Sequence, residues 1–194
     1  MSCSATRSSL RLAAAVPLLA AAAAGHAADI QSLQVSRDGL RYHIEMDVRL
    51  HAAANAAYAV FVAPGGLRRI NPDVRTVEVL GRGPDQSLRM YTELHVCVSL
   101  YCRTLRQLQD MRLEPRQDGG DVHADLLPDS SDFSYGRADW QFRAAGDDTQ
   151  VHFTAELQPT FWLPPAIGPW MMERSMRREA ESTAAGIERM AKGR

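Results

Sequence analysis

Residues 161–190 read FWLPPAIGPWMMERSMRREAESTAAGIERM, and this segment decides the fold. A proline-rich stretch leads into a run that contains no further proline. Proline fits the first turn of a helix, where its missing N–H costs nothing. The pattern therefore predicts one long helix that begins at Pro165 or Pro169 and continues to the end of the segment. The chain upstream has to supply the surface against which this helix packs.

The predicted helix has one narrow face to bury when residues are placed at 100° steps. Its members are Met172, Met176, Ala180, Thr183, Ile187, Met190 and Ala191, whereas Arg174, Arg177, Arg178, Glu181, Glu188 and Arg189 fall outside it. Methionine adapts to irregular or exchangeable neighbours, and small residues leave room for them. The face is thus suited to closing one side of an apolar cavity, and an ordinary core helix is the alternative interpretation.

The first residues have the pattern of a secretory signal peptide. Arg7 and Arg11 precede an apolar, alanine-rich run, and small residues around Ala27 supply a cleavage site. We expect residues 1–27 to be removed and residues 28–194 to form a single domain in the periplasm of a Gram-negative bacterium. Removing two arginines and no acidic residue changes the net charge from −1 to −3. This charge indicates no nucleic-acid partner, since such proteins carry clustered basic surfaces.

Residues 40–50 form the clearest predicted strand, because apolar residues alternate there with charged ones. Residues 29–39 are read as a short lead-in, and two short helices are predicted near 52–62 and 67–70. Turn signals then separate further strands, predicted near 74–80, 87–98, 103–113, 120–126, 132–143 and 149–157. The fold class is therefore α+β, with a curved antiparallel sheet of about seven strands, two short helices after the first strand and the long C-terminal helix over the sheet. A curved sheet and one narrow helix leave a gap between them, and this gap is the physical case for a cavity.

Two cysteines remain once Cys3 leaves with the signal peptide. Cys97 and Cys102 are closely spaced, and in an oxidising compartment such a pair is a candidate disulfide, with free thiols as the alternative. Together with His95 they offer too few ligands for a structural zinc site. The sequence contains no Ser–His–Asp spacing, metal motif or phosphate-binding loop, so we expect no catalytic residue, no metal and no cofactor.

The order of elements resembles the START-like superfamily, also called the helix-grip or SRPBCC superfamily. More narrowly, it is similar to bacterial START-type proteins of the polyketide cyclase and coenzyme Q-binding kind. The residues that carry the resemblance are Asn71-Pro72-Asp73-Val74, Ser131-Asp132-Phe133 with Trp140, and residues 161–169. The resemblance implies that a hydrophobic ligand, such as a lipid, an isoprenoid quinone, a sterol or an aromatic polyketide, is held between sheet and helix. The export signal and the cysteine pair depart from cytoplasmic cyclases and argue against a role in polyketide tailoring.

The candidate ligand cavity combines inward-facing strand residues with the apolar face of the last helix. Its predicted lining is Met90, Leu94, Trp140, Phe142, Phe153, Trp170, Met172, Met176, Ala180, Thr183 and Ile187. On the strand near residues 87–98, Tyr91, Glu93 and His95 share the opposite parity and are expected to face solvent. Trp170 falls outside the apolar face and is a candidate for the cavity mouth or for a patch that touches a membrane.

The leading functional hypothesis is an exported protein that binds or carries a hydrophobic small molecule without catalysis, with transient membrane contact. The alternative is a polyketide cyclase or aromatase-type enzyme that uses a histidine, tyrosine or aspartate in the same cavity. A third hypothesis is an envelope interaction protein whose interior is filled by its own side chains.

Overall fold

The computed structural model describes residues 29–98 and 100–193. The strands are β1 (Asp29–Asp38), β2 (Arg41–Leu50), β3 (Val74–Arg82), β4 (Leu88–Val98), β5 (Tyr101–Arg116), β6 (Gly119–Leu126), β7 (Phe133–Ala145) and β8 (Asp148–Pro159). The helices are α1 (Ala54–Val62), α2 (Gly66–Ile70) and α3 (Gly168–Lys192). The predicted signal peptide, residues 1–27, lies outside the described residues.

The eight strands form one antiparallel sheet in the order β1-β2-β8-β7-β6-β5-β4-β3. Strands that follow one another in the chain are joined by short connections, except where β2 is followed by the two short helices and where β8 leads to α3. The α+β helix-grip fold predicted from the sequence is confirmed. In the described part of the chain, no helix has the length and apolar character needed to cross a bilayer.

The lead-in proposed for residues 29–39 was wrong, and the count of about seven strands was one too low. These residues form β1, which pairs along its length with β2. The alternation of β1 is weak, and a register shift between Ile30 and Ser32 interrupts it further. The Asp38-Gly39 turn was recognised, and Gly39 has a φ of 58°, a conformation that favours glycine. The turn therefore joins two strands instead of starting the first one.

Strand β2 shows how the sequence pattern builds the core. Tyr42, Ile44, Met46, Val48 and Leu50 are all buried on one face of the sheet. The charged residues between them occupy the outer face, as a period of two requires. The same face of the sheet carries the inward residues of β7 and β8, and α1 and α3 pack over it.

Helix α3 begins at Gly168 and has a proline in its first turn, Pro169. It is fastened near its carboxyl end by two close contacts. A Cβ added to Gly186 would lie 2.6 Å from Cα of Ile70 and closer still to the carbonyl oxygen of that residue, so α2 and α3 touch through backbone at this point. In addition, the backbone N–H of His51 donates a 2.8 Å hydrogen bond to Oε1 of Glu188.

The placement of Glu188 outside the buried face of α3 was wrong, because this side chain is buried. Helical periodicity predicts only which residues of α3 lie on the face toward the sheet, and it does not predict contacts of the other faces. Glu188 instead reaches the end of β2 and accepts a hydrogen bond from a backbone N–H that follows the strand. A buried carboxylate is tolerated where such a donor satisfies it.

Candidate functional site

A cavity lies between the sheet and α3, where the sequence predicted a gap. Its main chamber has a volume of about 200 Å³ and is walled by β2, β4, β5, β7, β8 and α3, with α1 and α2 at one side. A smaller chamber of about 60 Å³ adjoins it further along α3, where Ala184 and Ile187 line it. The two chambers share six lining residues, which are Met46, Phe61, Trp140, Phe153, Ala180 and Thr183.

Most of the predicted lining residues surround these two chambers. Leu94, Trp140, Phe153, Met176, Ala180 and Thr183 line the main chamber, and Phe142 and Ile187 line the smaller one. Three predicted residues lie elsewhere. Met90 is buried in the core outside both linings. Met172 lines a separate hollow of about 60 Å³ between the β4–β5 hairpin and the start of α3. Trp170 is 53 % exposed, and the guanidinium of Arg174 lies 5.8 Å from its ring centroid.

Aromatic rings form the floor of the cavity. The Trp140 ring lies 5.1 Å from Phe153 and 5.6 Å from Phe61, measured between centroids, and Phe61 also contacts Phe142 at 5.3 Å. These tilted contacts fix the rings against one another. A ligand in the main chamber would therefore meet a rigid aromatic surface on one side and the adaptable side chain of Met176 on the other.

Sequence reasoning missed the polar residues of the main chamber. They are Asn71, Thr92, Gln107, Gln109 and Glu179. Parity would have found three of them, because Thr92 lies between Met90 and Leu94, and the two glutamines lie between Leu105 and Met111. Glu179 follows Met172 by seven residues, so it adjoins the apolar face of α3, about 20° from Met172 at 100° per residue.

Asn71 holds Glu179 in a fixed orientation. The backbone N–H of Asp73 donates to Asn71 Oδ1 at 2.9 Å, so the amide nitrogen of Asn71 has to point the other way. That nitrogen donates to Glu179 Oε2 at 2.6 Å and to Thr183 Oγ1 at 3.1 Å. Burial raises the pKa of the Glu179 carboxyl above its ordinary value, the hydrogen bond from Asn71 lowers it, and the charges of Asp73 and Arg178 act in opposite directions.

The outer face of the sheet carries a larger but open groove of about 450 Å³. His43, Glu156, Arg137 and Asp139 line it, with His43 Nδ1 3.4 Å from Glu156 and Arg137 Nε 3.9 Å from Asp139. The first pair joins β2 to β8, and the second lies within β7. Polar groups that already pair with each other in this way are typical of a solvated sheet face. Trp140 and Phe142 occupy the inner face of the same strand, which is the orientation that the sequence favoured.

Cys97 and Cys102 are joined in a disulfide. They are directly opposed near the tip of the β4–β5 hairpin. His95 Nε2 lies 3.5 Å from Cys97 Sγ, and these three residues are grouped closely enough to surround a metal ion. Because both sulfurs are bonded to each other, only the imidazole is left as a ligand, and the disulfide is the structural role of the pair.

The family of the chain follows from a match over most of its length. The model of the family described as polyketide cyclase/dehydrase and lipid transport matches residues 41–189. The chain belongs to this family. The match spans β2 to nearly the end of α3, so it includes every described wall of the cavity.

Solved structures show the same START-like fold at low sequence identity. A protein from Thermus thermophilus superposes with a TM-score of 0.63 and 17 % identity, covering 78 % of this chain and 97 % of that one. The ZhuI aromatase/cyclase from Streptomyces sp. R1128 superposes with a TM-score of 0.58 and 20 % sequence identity, and the match covers 78 % of this chain and 94 % of that one. A STAR-related lipid transfer protein from Xanthomonas axonopodis superposes with a TM-score of 0.58 and 17 % sequence identity, and the match covers 80 % of this chain and 98 % of that one. No curated protein matches the chain.

The family and the fold together define a START-like domain of the hydrophobic-ligand-binding or cyclase type. The chamber between sheet and α3 is the place in this fold where such a ligand is expected. Occupancy of the chamber by a ligand stays a prediction.

Proposed function

We propose that this protein is an exported carrier that holds a hydrophobic small molecule in the cavity between its sheet and α3. The observation that supports this proposal most directly is the cavity itself, a concave space with aromatic and aliphatic walls in a member of a lipid transport and cyclase family. Ligand sites of this kind are concave, largely apolar and provided with a few polar groups. The cavity also counts against the third hypothesis, in which side chains fill the interior.

Export is the second part of the proposal. The N-terminal residues have the pattern of a signal peptide. A disulfide between Cys97 and Cys102 is stable in an oxidising compartment and uncommon in the bacterial cytoplasm. Both features are consistent with a periplasmic protein that moves an apolar compound through the envelope.

The cyclase-type alternative retains one observation in its favour, which is an ionisable group in the cavity. Glu179 lines the main chamber and has a raised pKa, as a general base would require. The histidine, tyrosine or aspartate expected in this hypothesis is not found in the described lining of either chamber. A carboxyl group without a second titratable partner favours binding over acid–base chemistry.

The test is to recover the protein with its cargo. We expect native mass spectrometry of protein purified from the periplasm to show an added mass, and solvent extraction to release an apolar compound of unchanged structure. Residues 28 onward should be the species observed. A protein that carries no such compound and takes up none from a panel of quinones, alcohols and fatty acids would contradict the carrier function. Turnover of a bound polyketide analogue would favour the enzyme.

The proposal includes transient contact with a lipid bilayer. Large apolar side chains are exposed around the start of α3, with exposed fractions of 74 % for Trp162, 53 % for Trp170 and 48 % for Ile167. Arg37 lines the same hollow as Trp162, and Arg174 lies beside Trp170. Tryptophan with neighbouring arginine is the combination that suits the interface of an anionic membrane.

We expect replacement of both Trp162 and Trp170 by alanine to weaken binding to vesicles of neutral and anionic phospholipid by about tenfold or more. Co-sedimentation with such vesicles measures this effect. Leu80→Ala is the control, because Leu80 is also exposed but lies on the edge strand β3. Equal vesicle binding by the double variant and the wild type would rule out this surface as the membrane contact.

A further inference from the structure

The main chamber contains one ionisable residue among those described, and it is acidic. Glu179 projects from α3 into a lining that is otherwise apolar or carries amide and hydroxyl groups. No arginine, lysine or histidine belongs to the described lining of either chamber. The charges that act on Glu179 are those of Arg178 and Asp73, which form an ion pair with each other at 3.5 Å. The Arg178 guanidinium is therefore paired with Asp73, and Arg178 does not line the cavity.

One oxygen of Glu179 is left for a ligand. Asn71 occupies Oε2, and its own orientation is fixed by the backbone N–H of Asp73. Within the described part of the chain, Oε1 has no hydrogen-bond partner. An oxygen of a carboxyl group that faces a half-buried chamber offers a hydrogen-bond acceptor to whatever enters it.

The glutamines on β5 add unused polar groups to the same chamber. Gln109 is 8 % exposed, and its amide nitrogen has a contact only with Met111 Sδ, at 3.5 Å, among described residues. Gln107 accepts a long hydrogen bond of 3.4 Å from Thr92, which leaves its amide nitrogen without a described partner. Polar groups in a protein interior normally find partners, so these two amide nitrogens are suited to an acceptor atom of the ligand, such as a hydroxyl oxygen.

We propose that the polar group of the bound ligand is an uncharged or cationic hydrogen-bond donor, a hydroxyl or an amine, which donates to Glu179. The amide nitrogens of Gln107 and Gln109 can donate in turn to the oxygen of a hydroxyl ligand. This inference rests on the proposed carrier function and specifies its ligand class. A carboxylate or phosphate would enter a chamber that has no counter-ion among its described residues and would face the Glu179 carboxylate. Burial of such an unpaired charge is costly, whereas a hydrogen bond to a charged acceptor is among the stronger ones.

The size of the cavity limits the ligand further. Sites for drug-sized ligands span about 300–1,000 Å³, whereas the main chamber has about 200 Å³ and its neighbour about 60 Å³. The aromatic floor of Phe61, Trp140 and Phe153 also suits one ring system or one short chain. A compact alcohol or amine fits this space, and a lipid with two acyl chains exceeds it.

The test uses three probes with the same eight-carbon chain: 1-octanol, octylammonium and octanoate. We expect octanoate to bind at least about tenfold more weakly than the better of the other two at pH 7, as measured by calorimetry. Glu179→Gln removes the charge and keeps an oxygen for Asn71. In this variant the position of Oε1 carries an amide NH₂ group, so we expect octanoate to gain affinity and octylammonium to lose about tenfold. The affinity of 1-octanol should fall less than that of octylammonium, because a hydroxyl can turn and accept from the new amide nitrogen. Glu181→Gln, on the exposed side of α3, should behave as wild type.

The pH dependence of binding separates the two kinds of donor. Octylammonium stays protonated throughout the acidic and neutral range and pairs with the ionised carboxylate, so its affinity should increase as the pH rises through the raised pKa of Glu179. The affinity of 1-octanol should not follow this increase. Stronger binding of octylammonium identifies an amine site, and stronger binding of 1-octanol identifies a hydroxyl site.

The results with the three probes also distinguish a failure of the proposed ligand class from a failure of the carrier function. If none of the three probes binds and no quinone, alcohol or fatty acid of the larger panel binds either, the carrier function itself is contradicted. If a member of that panel binds and the three probes do not, this inference is overturned and the carrier function stands. If octanoate binds as tightly as the other probes, or if Glu179→Gln leaves the order of affinities unchanged, the selectivity is overturned and the carrier function stands. Thermal unfolding of Glu179→Gln should be measured alongside, so that a loss of affinity is compared at equal folded fraction.

Discussion

Ala180→Phe should abolish ligand binding and leave the protein folded. Ala180 lies on α3 and lines both chambers of the cavity, so its Cβ points into the space that a ligand would occupy. The phenyl ring of a phenylalanine at this position would fill the shared part of the two chambers and leave no room there for a ligand. We expect the affinity for 1-octanol to fall by at least about a hundredfold. Calorimetric titration measures the affinity, and circular dichroism reports the fold.

The matched control for this substitution is Ala185→Phe. Ala185 lies five residues further along α3 but is exposed, so the same ring would extend into solvent. This variant should bind 1-octanol as the wild type does. Full binding by Ala180→Phe, with its fold intact, would show that the chamber under α3 does not hold the ligand.

Gly186→Ala is expected to give the largest loss of stability among the glycines of α3. The added Cβ would lie 2.6 Å from Cα of Ile70 and closer still to its carbonyl oxygen, and backbone atoms cannot rotate away as a flexible side chain can. Alanine gains about 1 kcal/mol over glycine in a helix interior, but forced overpacking costs about 1–3 kcal/mol and backbone clashes lie at the upper end. We expect a net loss of about 1–2 kcal/mol, which lowers the melting temperature by about 2–8 °C in a protein of this size.

Gly193→Ala is the control for Gly186→Ala. The Cβ of an alanine at position 193 would approach its nearest neighbour, the Arg189 carbonyl oxygen, at 3.6 Å, which is an ordinary contact. Its melting temperature should match that of the wild type. Unchanged or higher stability of Gly186→Ala would mean that α2 and α3 separate easily and that their close approach does not stabilise the fold.

The architecture could be predicted because its main elements have strong local signals. The alternation of apolar and charged residues in β2 predicts a strand, and the prolines before α3 predict the start of a helix. Both patterns depend on only a few neighbouring residues. Strand β1 had no such signal. Its polar residues Ser32, Gln34 and Ser36 alternate with only a few apolar residues, and the alternation is interrupted. β1 becomes a strand because it pairs with β2. Tertiary context decided its structure.

The candidate site could be predicted in part, for the same reason. Apolar residues of the cavity follow from parity and helical period, which describe the face on which a side chain lies. The hydrogen bond between Asn71 and Glu179 joins residues 108 positions apart, and no local pattern encodes it. A glutamate beside an apolar stripe is usually solvated, so only the packing of α3 against the loop after α2 shows that Glu179 faces the cavity.

The resemblance to START-like proteins was confirmed by the family match and by the solved structures. The residues that carried it have structural roles in this chain. Asn71 orients Glu179, and Asp132 accepts a hydrogen bond from the backbone N–H of Arg106 at 2.8 Å. A motif can thus identify a fold through the bonds that maintain it, while the ligand depends on other residues.

The uneven attachment of α3 has a consequence for the motion of the helix. Five of its six buried residues lie at or after its midpoint, namely Ala180, Ala184, Gly186, Ile187 and Glu188, whereas Gly168 is the one buried residue before it. Segments with fewer buried contacts open at a lower free-energy cost. We therefore expect the amino-terminal end of α3, which carries Trp170, to separate from the sheet at a lower free-energy cost than the carboxyl-terminal end, and amide hydrogen exchange along α3 measures this difference.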